Sequence, residues 1–275
     1  MTLPDQKMLA ALDAKELRAL IREGKYDRHT AGLARGKLQC NLAILPKAYA
    51  ADFIKFCELN PKPCPIVAIG EPGDPIIKSL GDDIDIRTDV PKYRIFRDGE
   101  LTDEVTDISA YWQDDFVTVA LGCSFTFENA LRAHGITVKH IDLDQTVPMY
   151  RSNIELASAG PFGGEMVLTM RPIPESRVRD AWDISARYPQ AHGAPIGQGA
   201  PADFGITDLG KPDWGDPVRV EEGEVPVYWA CGVTPQNVLM KARIPMCITH
   251  APGHMLVADI AEDAIIPIFK SQLTS

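Results

Sequence analysis

Two cysteines in this chain each follow a β-branched run and precede a stretch with helical spacing, and both placements could support chemistry. The first lies in Val117-Thr118-Val119-Ala120-Leu121-Gly122-Cys123-Ser124-Phe125-Thr126-Phe127-Glu128, which reads as strand, sharp turn and helix. A helix that starts directly after a strand leaves backbone N–H groups pointing outward, where the macrodipole favours an anion and lowers a thiol pKa. Ser124 can cap that helix. Glu128 lies one turn further on, either as a proton-transfer group or simply as a complement to the dipole. The second cysteine lies in Val225 to Ala230 followed by Cys231-Gly232-Val233-Thr234-Pro235, with Thr234 read as the N-cap and Pro235 as the first helical residue. Neither thiol has an evident base beside it in sequence, which ranks acid-base chemistry above covalent catalysis.

Other residues could serve the same centre. His250 ends the strand-like run from Met246, and in an open α/β sheet the ligand crevice lies beyond the carboxyl ends of strands. His192, in His192-Gly193-Ala194-Pro195, admits a similar reading; both histidines equally fit a hydrogen-bonded structural role. In the stretch from Asp83 to Asp89, the residues Asp83, Asp85, Arg87 and Asp89 would share one face of an extended chain. They form either a solvated edge strand or a loop in which Arg87, with Asp89, grips a substrate carboxylate in bidentate fashion. Asn41 lies with Gln39 on a polar face of the run from Leu38 to Leu42. Tyr150 and Asn153 belong to a loop, Val147 to Ile154, whose polar groups could converge on a ligand, and Arg171 ends a strand-like run from Glu165. The six cysteines show no CxxC spacing and no HExxH motif is present, so no metal site or cofactor is indicated. A metal held by His192, His250 and a carboxylate stays an open alternative.

The elements that must position these groups follow from pattern and composition. With 275 residues, 45% of them hydrophobic and 24% charged, the chain can build a core without staples. A net charge of -10 opposes an electrostatic grip on nucleic acid or anionic membrane, which leaves small molecules or copies of the chain itself, as in a homodimer, as partners. No apolar run approaches a membrane span and no signal segment opens the chain, so a cytoplasmic location is expected. Helices are expected over 13–22 and from Pro46 to Cys57, strands over 66–69 and 117–121, and a hairpin around Asp98-Gly99. From Phe116 the order strand, helix (124–134), strand (136–141), strand (165–171), helix (175–188) and a last strand near His192 matches a split βαβ repeat. The expected fold is therefore mixed α/β: a larger three-layer αβα domain formed by 1–112 plus 201–275, with an inserted two-layer module over 113–200.

Eight ordered blocks carry a resemblance that patterns alone do not supply. They are ThrAlaGly at 30–32 with Gln39 and Asn41, AsnProLysProCysPro at 60–65, AspIleArgThrAspValPro at 85–91, GlyCysSerPheThrPheGlu at 122–128, ValProMetTyr at 147–150, HisGlyAlaPro at 192–195, TrpAlaCysGlyValThrProGln at 229–236 and ThrHisAlaProGly at 249–253. Together they resemble the hydro-lyase family that shares its domain with mitochondrial D-glutamate cyclase, over nearly the whole chain. That family usually carries another histidine and an aspartate in the loop after HisGlyAlaPro, where Gly197 and Ala200 stand here, a departure that weakens any catalytic role for those loop positions. The resemblance implies a carbon-oxygen lyase acting on a small amino or hydroxy dicarboxylic acid. Cyclising D-glutamate to 5-oxo-D-proline requires a site for two carboxylates and an amine. Arg87 would clamp one carboxylate, the helix starts near Ser124 and Thr234 would hold the developing oxyanion, and Glu128 or His250 would move protons. Two alternatives stay open: an amide or lactam hydrolase with a cysteine nucleophile, and a non-enzymatic carboxylate-binding regulatory protein.

Overall fold

A computed structural model describes residues 6–9, 11–264 and 266 of the chain. Two antiparallel sheets carry it. The seven-stranded sheet runs β2-β5-β1-β10-β3-β4, with β11 also paired to β1, and the four-stranded sheet runs β6-β7-β9-β8. In chain order the elements are α1 (Gln6–Leu9), α2 (Ala14–Arg22), β1 (Lys37–Pro46), α3 (Lys47–Leu59), β2 (Ile66–Ile69), β3 (Tyr93–Arg97), β4 (Glu100–Val105), β5 (Phe116–Gly122), α4 (Phe125–Ala133), α5 (Lys139–Asp142), β6 (Met149–Glu155), β7 (Glu165–Pro174), α6 (Val178–Ser185), β8 (Gly197–Gln198), β9 (Glu224–Ala230), α7 (Val233–Ala242), β10 (Cys247–His250) and β11 (Leu256–Ala261).

The large sheet is apolar on both faces because β1 alternates two buried sets. Leu38, Cys40, Leu42 and Ile44 pack with Ile77, Ile84, Val90 and Ile108, whereas Ala43 and Leu45 pack with Phe53 and Phe56 of α3 and Val238 and Leu239 of α7. The small sheet packs Ile173, Val227 and Trp229 against Phe127 and Leu131 of α4 and Ala181 and Ile184 of α6. The chain therefore crosses over: the helix that follows large-sheet strand β5 lies on the small sheet, and the helix that follows small-sheet strand β9 lies on the large one. That exchange brings both helix starts to the junction between the sheets.

The mixed α/β class expected from the sequence holds, and several details differ. Sheet membership does not follow boundaries at 113 and 200, because β5 is internal to the large sheet and β9 belongs to the small one. The large-sheet face opposite α3 and α7 is covered by irregular chain at 77–90 and 108–112 rather than by a helical layer. The split βαβ order is absent. Residues 136–141 enter the turn of α5, although Ile136 and Val138 are buried, and His192 follows a 3-10 turn with φ 75° instead of lying in a strand. Residues 83–89 are turns rather than an extended edge: Asp85 accepts from Arg87, and Asp89 accepts from the Asp85 N–H and from Arg22 Nε at 2.6 Å. Arg18, wholly buried, ties the same loop to β11 by donating to the Val257 carbonyl at 2.8 Å and pairing with Asp259 at 2.9 Å. Asp83 and Asp89, bound by Arg18 and Arg22, are the anchor of α2, while Asp85 pairs with Arg87.

Candidate active site

The two strand-to-helix corners meet at one cleft. Its walls include Cys123, Ser124 and Phe125 from the start of α4, Cys231, Gly232 and Val233 from the start of α7, and Asn41, Thr169 and His250 from the sheets, around a narrow cavity of about 40 Å³ that is partly open to solvent. Among the described residues no acidic side chain lines it. The first-turn N–H groups are taken up locally, Phe125 by the Cys123 sulfur, Thr126 by the Cys123 carbonyl and Val233 by the Cys231 sulfur, while the positive ends of both helix dipoles face the same space.

Neither expected cap forms in the expected way. Ser124 has helical backbone angles and no capping bond; its hydroxyl instead accepts from Arg171 Nη2 at 3.1 Å. Gly232 occupies the cap position of α7, two residues earlier than Thr234, whose hydroxyl accepts from the Val167 N–H at 3.0 Å and ties α7 to β7. A side chain at Gly232 would meet Asn41, since a Cβ there would lie 2.4 Å from its amide. Asn41 itself donates to the Gly122 carbonyl at 2.7 Å, which holds the first corner against β1.

His250 takes its position from a break in the sheet. Strand β1 pairs with β10 at Ala43 and Ile44 and with β11 at Gln39 and Cys40, so the same edge is unpaired at Asn41 and Leu42. The His250 ring fills that gap, its Nδ1 accepting from the Leu42 N–H at 3.1 Å. This bond assigns the ring proton to Nε2. Burial lowers the imidazole pKa to about 3, so the ring is neutral at neutral pH. Gln236 of α7 sits 3.1 Å from Nε2.

Behind the cleft lies a sealed charge network. Arg171 donates to Thr169 Oγ1 at 2.9 Å and to Ser124, and its Nη2 and Nε grip Glu128 Oε1, Nε at 3.0 Å. His140 Nε2 lies 3.3 Å from the same oxygen. Burial pushes the Glu128 carboxyl up, but Arg171 and His140 outweigh it and hold the pKa at about 2. Glu128 is thus a buried anion that fixes Arg171, rather than a cleft-lining base. The two thiols move the other way. Burial pushes Cys123 up to about 12 and Cys231 up to about 11, against bonds from the Phe125 and Val233 N–H groups and the pull of Arg171.

The structure brings together Cys123, Cys231, His250, Ser124 and Asn41 at the cleft and places Arg171 and Glu128 immediately behind it. The remaining expected residues lie elsewhere. Arg87 is paired to Asp85 at 2.7 Å, and Asp89 belongs to the α2 anchor, so the expected carboxylate clamp is not part of the cleft. Tyr150 donates to the Leu209 carbonyl at 2.8 Å under the small sheet, and Asn153 lines an exposed groove with Arg151 and Lys241. His192 is buried, bonded through Nδ1 to the Lys62 carbonyl at 2.7 Å, and lowered to about 4 by burial. Among the described residues no group of three His, Cys, Asp or Glu side chains is placed to hold a metal ion. Thr169 was not singled out by the sequence, although it shares a strand face with Arg171 two residues on.

These features define a mixed α/β protein with a non-acidic cleft between two helix starts. The family model described as D-glutamate cyclase matches residues 117–259, which include both corners, Arg171 and His250. The chain is 66% identical to a protein of Jannaschia sp. (strain CCS1) named "Putative hydro-lyase", over 94% of this chain and 97% of that one. A Dinoroseobacter shibae protein of the same name is 62% identical over 94% and 86%, and YcsI of Bacillus subtilis, also so named, is 53% identical over 91% and 98%. A solved nitrogen repressor-like protein from Methanococcus jannaschii overlays with a TM-score of 0.38 at 10% identity, covering 91% of this chain and 99% of that one, too loosely to carry an argument. The chain belongs to the D-glutamate cyclase family.

Proposed function

We propose that the cleft binds a small amino or hydroxy dicarboxylic acid and removes water from it, as the names hydro-lyase and D-glutamate cyclase describe. The observation that carries this reading is the convergence of two helix N-termini, each led by a cysteine, on one cleft without acidic side chains. For D-glutamate the reaction forms a bond between nitrogen and the distal carboxyl carbon and breaks one carbon-oxygen bond. The ammonium gives up two protons, and the departing oxygen carries them away as water. Cys123, Cys231 and His250 Nε2–H are the cleft groups able to relay them, while the positive ends of the two helix dipoles face the oxyanion that develops. Arg171 adds positive charge behind Ser124 and Thr169.

Proton NMR of the protein with D-glutamate, L-glutamate, D-malate and L-malate tests the reading. Conversion of at least one acid with loss of water is expected, slowed at least about 100-fold in Asn41→Ala, a loss typical of a misplaced polar group in an active site. Arg87→Lys serves as the control and leaves the rate unchanged. Four unconverted acids would contradict the proposal.

A further inference from the structure

The two corners are copies of one another in sequence. Val119, Cys123, Thr126, Asn129 and Leu131 recur as Val227, Cys231, Thr234, Asn237 and Leu239, all offset by 108 residues, with Glu128 matched by Gln236. The copies occupy equivalent places in the fold. Strand β5 leads into α4 and pairs with β1, and strand β9 leads into α7 and pairs with β7, both antiparallel. Leu121 and Trp229, at the same 108-residue offset, lie opposite Asn41 and Thr169, and those two partners both line the cleft. Each sulfur also receives the N–H of the residue two positions on, Phe125 for Cys123 and Val233, at 3.4 Å, for Cys231. One thiol comes from the end of a large-sheet strand and the other from the end of a small-sheet strand, so the repeat delivers a matched pair to one cleft, one from each sheet.

We propose that Cys123 and Cys231 work as a two-base pair on the α-carbon of the bound acid, so that the protein exchanges the α-hydrogen with solvent and interconverts the two enantiomers. This rests on the reading that an acid bearing an α-hydrogen occupies the cleft. One sulfur, as thiolate, takes the α-proton; the carbon-hydrogen bond breaks and its electron pair moves into the adjoining carboxylate. The other sulfur, as thiol, gives its proton to the opposite face of the carbon. No oxidant or reductant is needed, and the pair ends with its protonation reversed. The positive ends of the α4 and α7 dipoles face the charge that builds on the carboxylate. Burial holds both thiols high and close together, so each is a strong base once ionised and the proton passes either way.

The test incubates wild type, Cys123→Ser and Cys231→Ser in D2O with D-glutamate, L-glutamate, D-malate and L-malate, following the α-proton signal and separating enantiomers by chiral chromatography. Wild type is expected to lose the α-proton of one acid and to produce its mirror image. Each serine variant is expected to lose interconversion at least about 100-fold. Each should retain exchange of only one enantiomer, and the retained enantiomer should differ between the two variants; a merely structural role would not reverse that preference. Cys123→Ala and Cys231→Ala, checked by thermal melting, stand in should a serine variant fail to fold. Dehydration of an acid with its α-proton retained would overturn the two-base pair and leave the lyase reading standing. Exchange that survives in both single variants at the wild-type rate would also overturn it. Neither exchange nor dehydration with any of the four acids would remove both.

Discussion

Glu128 and Arg171 are each about 1% exposed and grip one another beneath Ser124 and Thr169. Removing one partner of such a pair leaves an uncompensated buried charge, so Glu128→Gln is expected to destabilise the fold by about 3–5 kcal/mol, read as a lower urea midpoint. A melt like that of wild type would contradict the positioning role. The acid side of stability follows from the same burial. His250 and His192 sit at about 3 and about 4 against an ordinary 6.5, so their contribution is complete above pH 6.5 and is lost as the pH falls below it. Glu128, at about 2 against 4.5, adds a second loss as the pH falls below 4.5. Urea midpoints should therefore fall from about pH 6.5 downward, and less steeply between 6.5 and 4 in His192→Asn; a flat profile over that range would contradict it. The cysteines were legible in the sequence because a thiol between a strand and a helix is a local pattern. The role of Glu128 was not, since its partner Arg171 is 43 residues away and only the fold unites them.

The two corners differ in what their glycines meet. A Cβ on Gly122 would lie 1.6 Å from the Gln190 carbonyl oxygen, a main-chain atom that cannot swing aside, whereas one on Gly232 would press the Asn41 amide, a movable end. Gly122→Ala is therefore expected to cost stability at or above the usual overpacking range of about 1–3 kcal/mol. Gly232→Ala should melt near wild type but show slower turnover, because Asn41 is displaced within the cleft. Equal melting of the two variants would contradict this. Elements with strong local signals were readable: the helix that follows Asp13, Pro46 before α3, and the Asp98-Gly99 turn all sit where expected. Residues 136–141 were not, because a short apolar run looks alike as strand or as buried loop. The 83–89 run read as an extended strand by its alternation, and only its distant partners Arg18 and Arg22 fold it into turns.

At the scale of the molecule, the exchange of α4 and α7 between the sheets makes each sheet depend on a helix that begins on the other. Phe127 of α4 stacks on Trp229 of the small sheet, 5.6 Å between ring centres, while Val238 and Leu239 of α7 bury against the large sheet. Circular dichroism and tryptophan fluorescence should thus report one coincident denaturant transition; two separated transitions would mean that the sheets are independent units. The sequence could not disclose this exchange, since helix periodicity says which face is buried and not against which sheet. The junction so formed is proposed as the substrate site, and a crystal structure of the protein soaked with D-glutamate would locate the ligand. The ligand is expected between Cys123 and Cys231, with its carboxylates at the positive ends of α4 and α7. Ligand bound elsewhere, with this cleft holding only water, would contradict it.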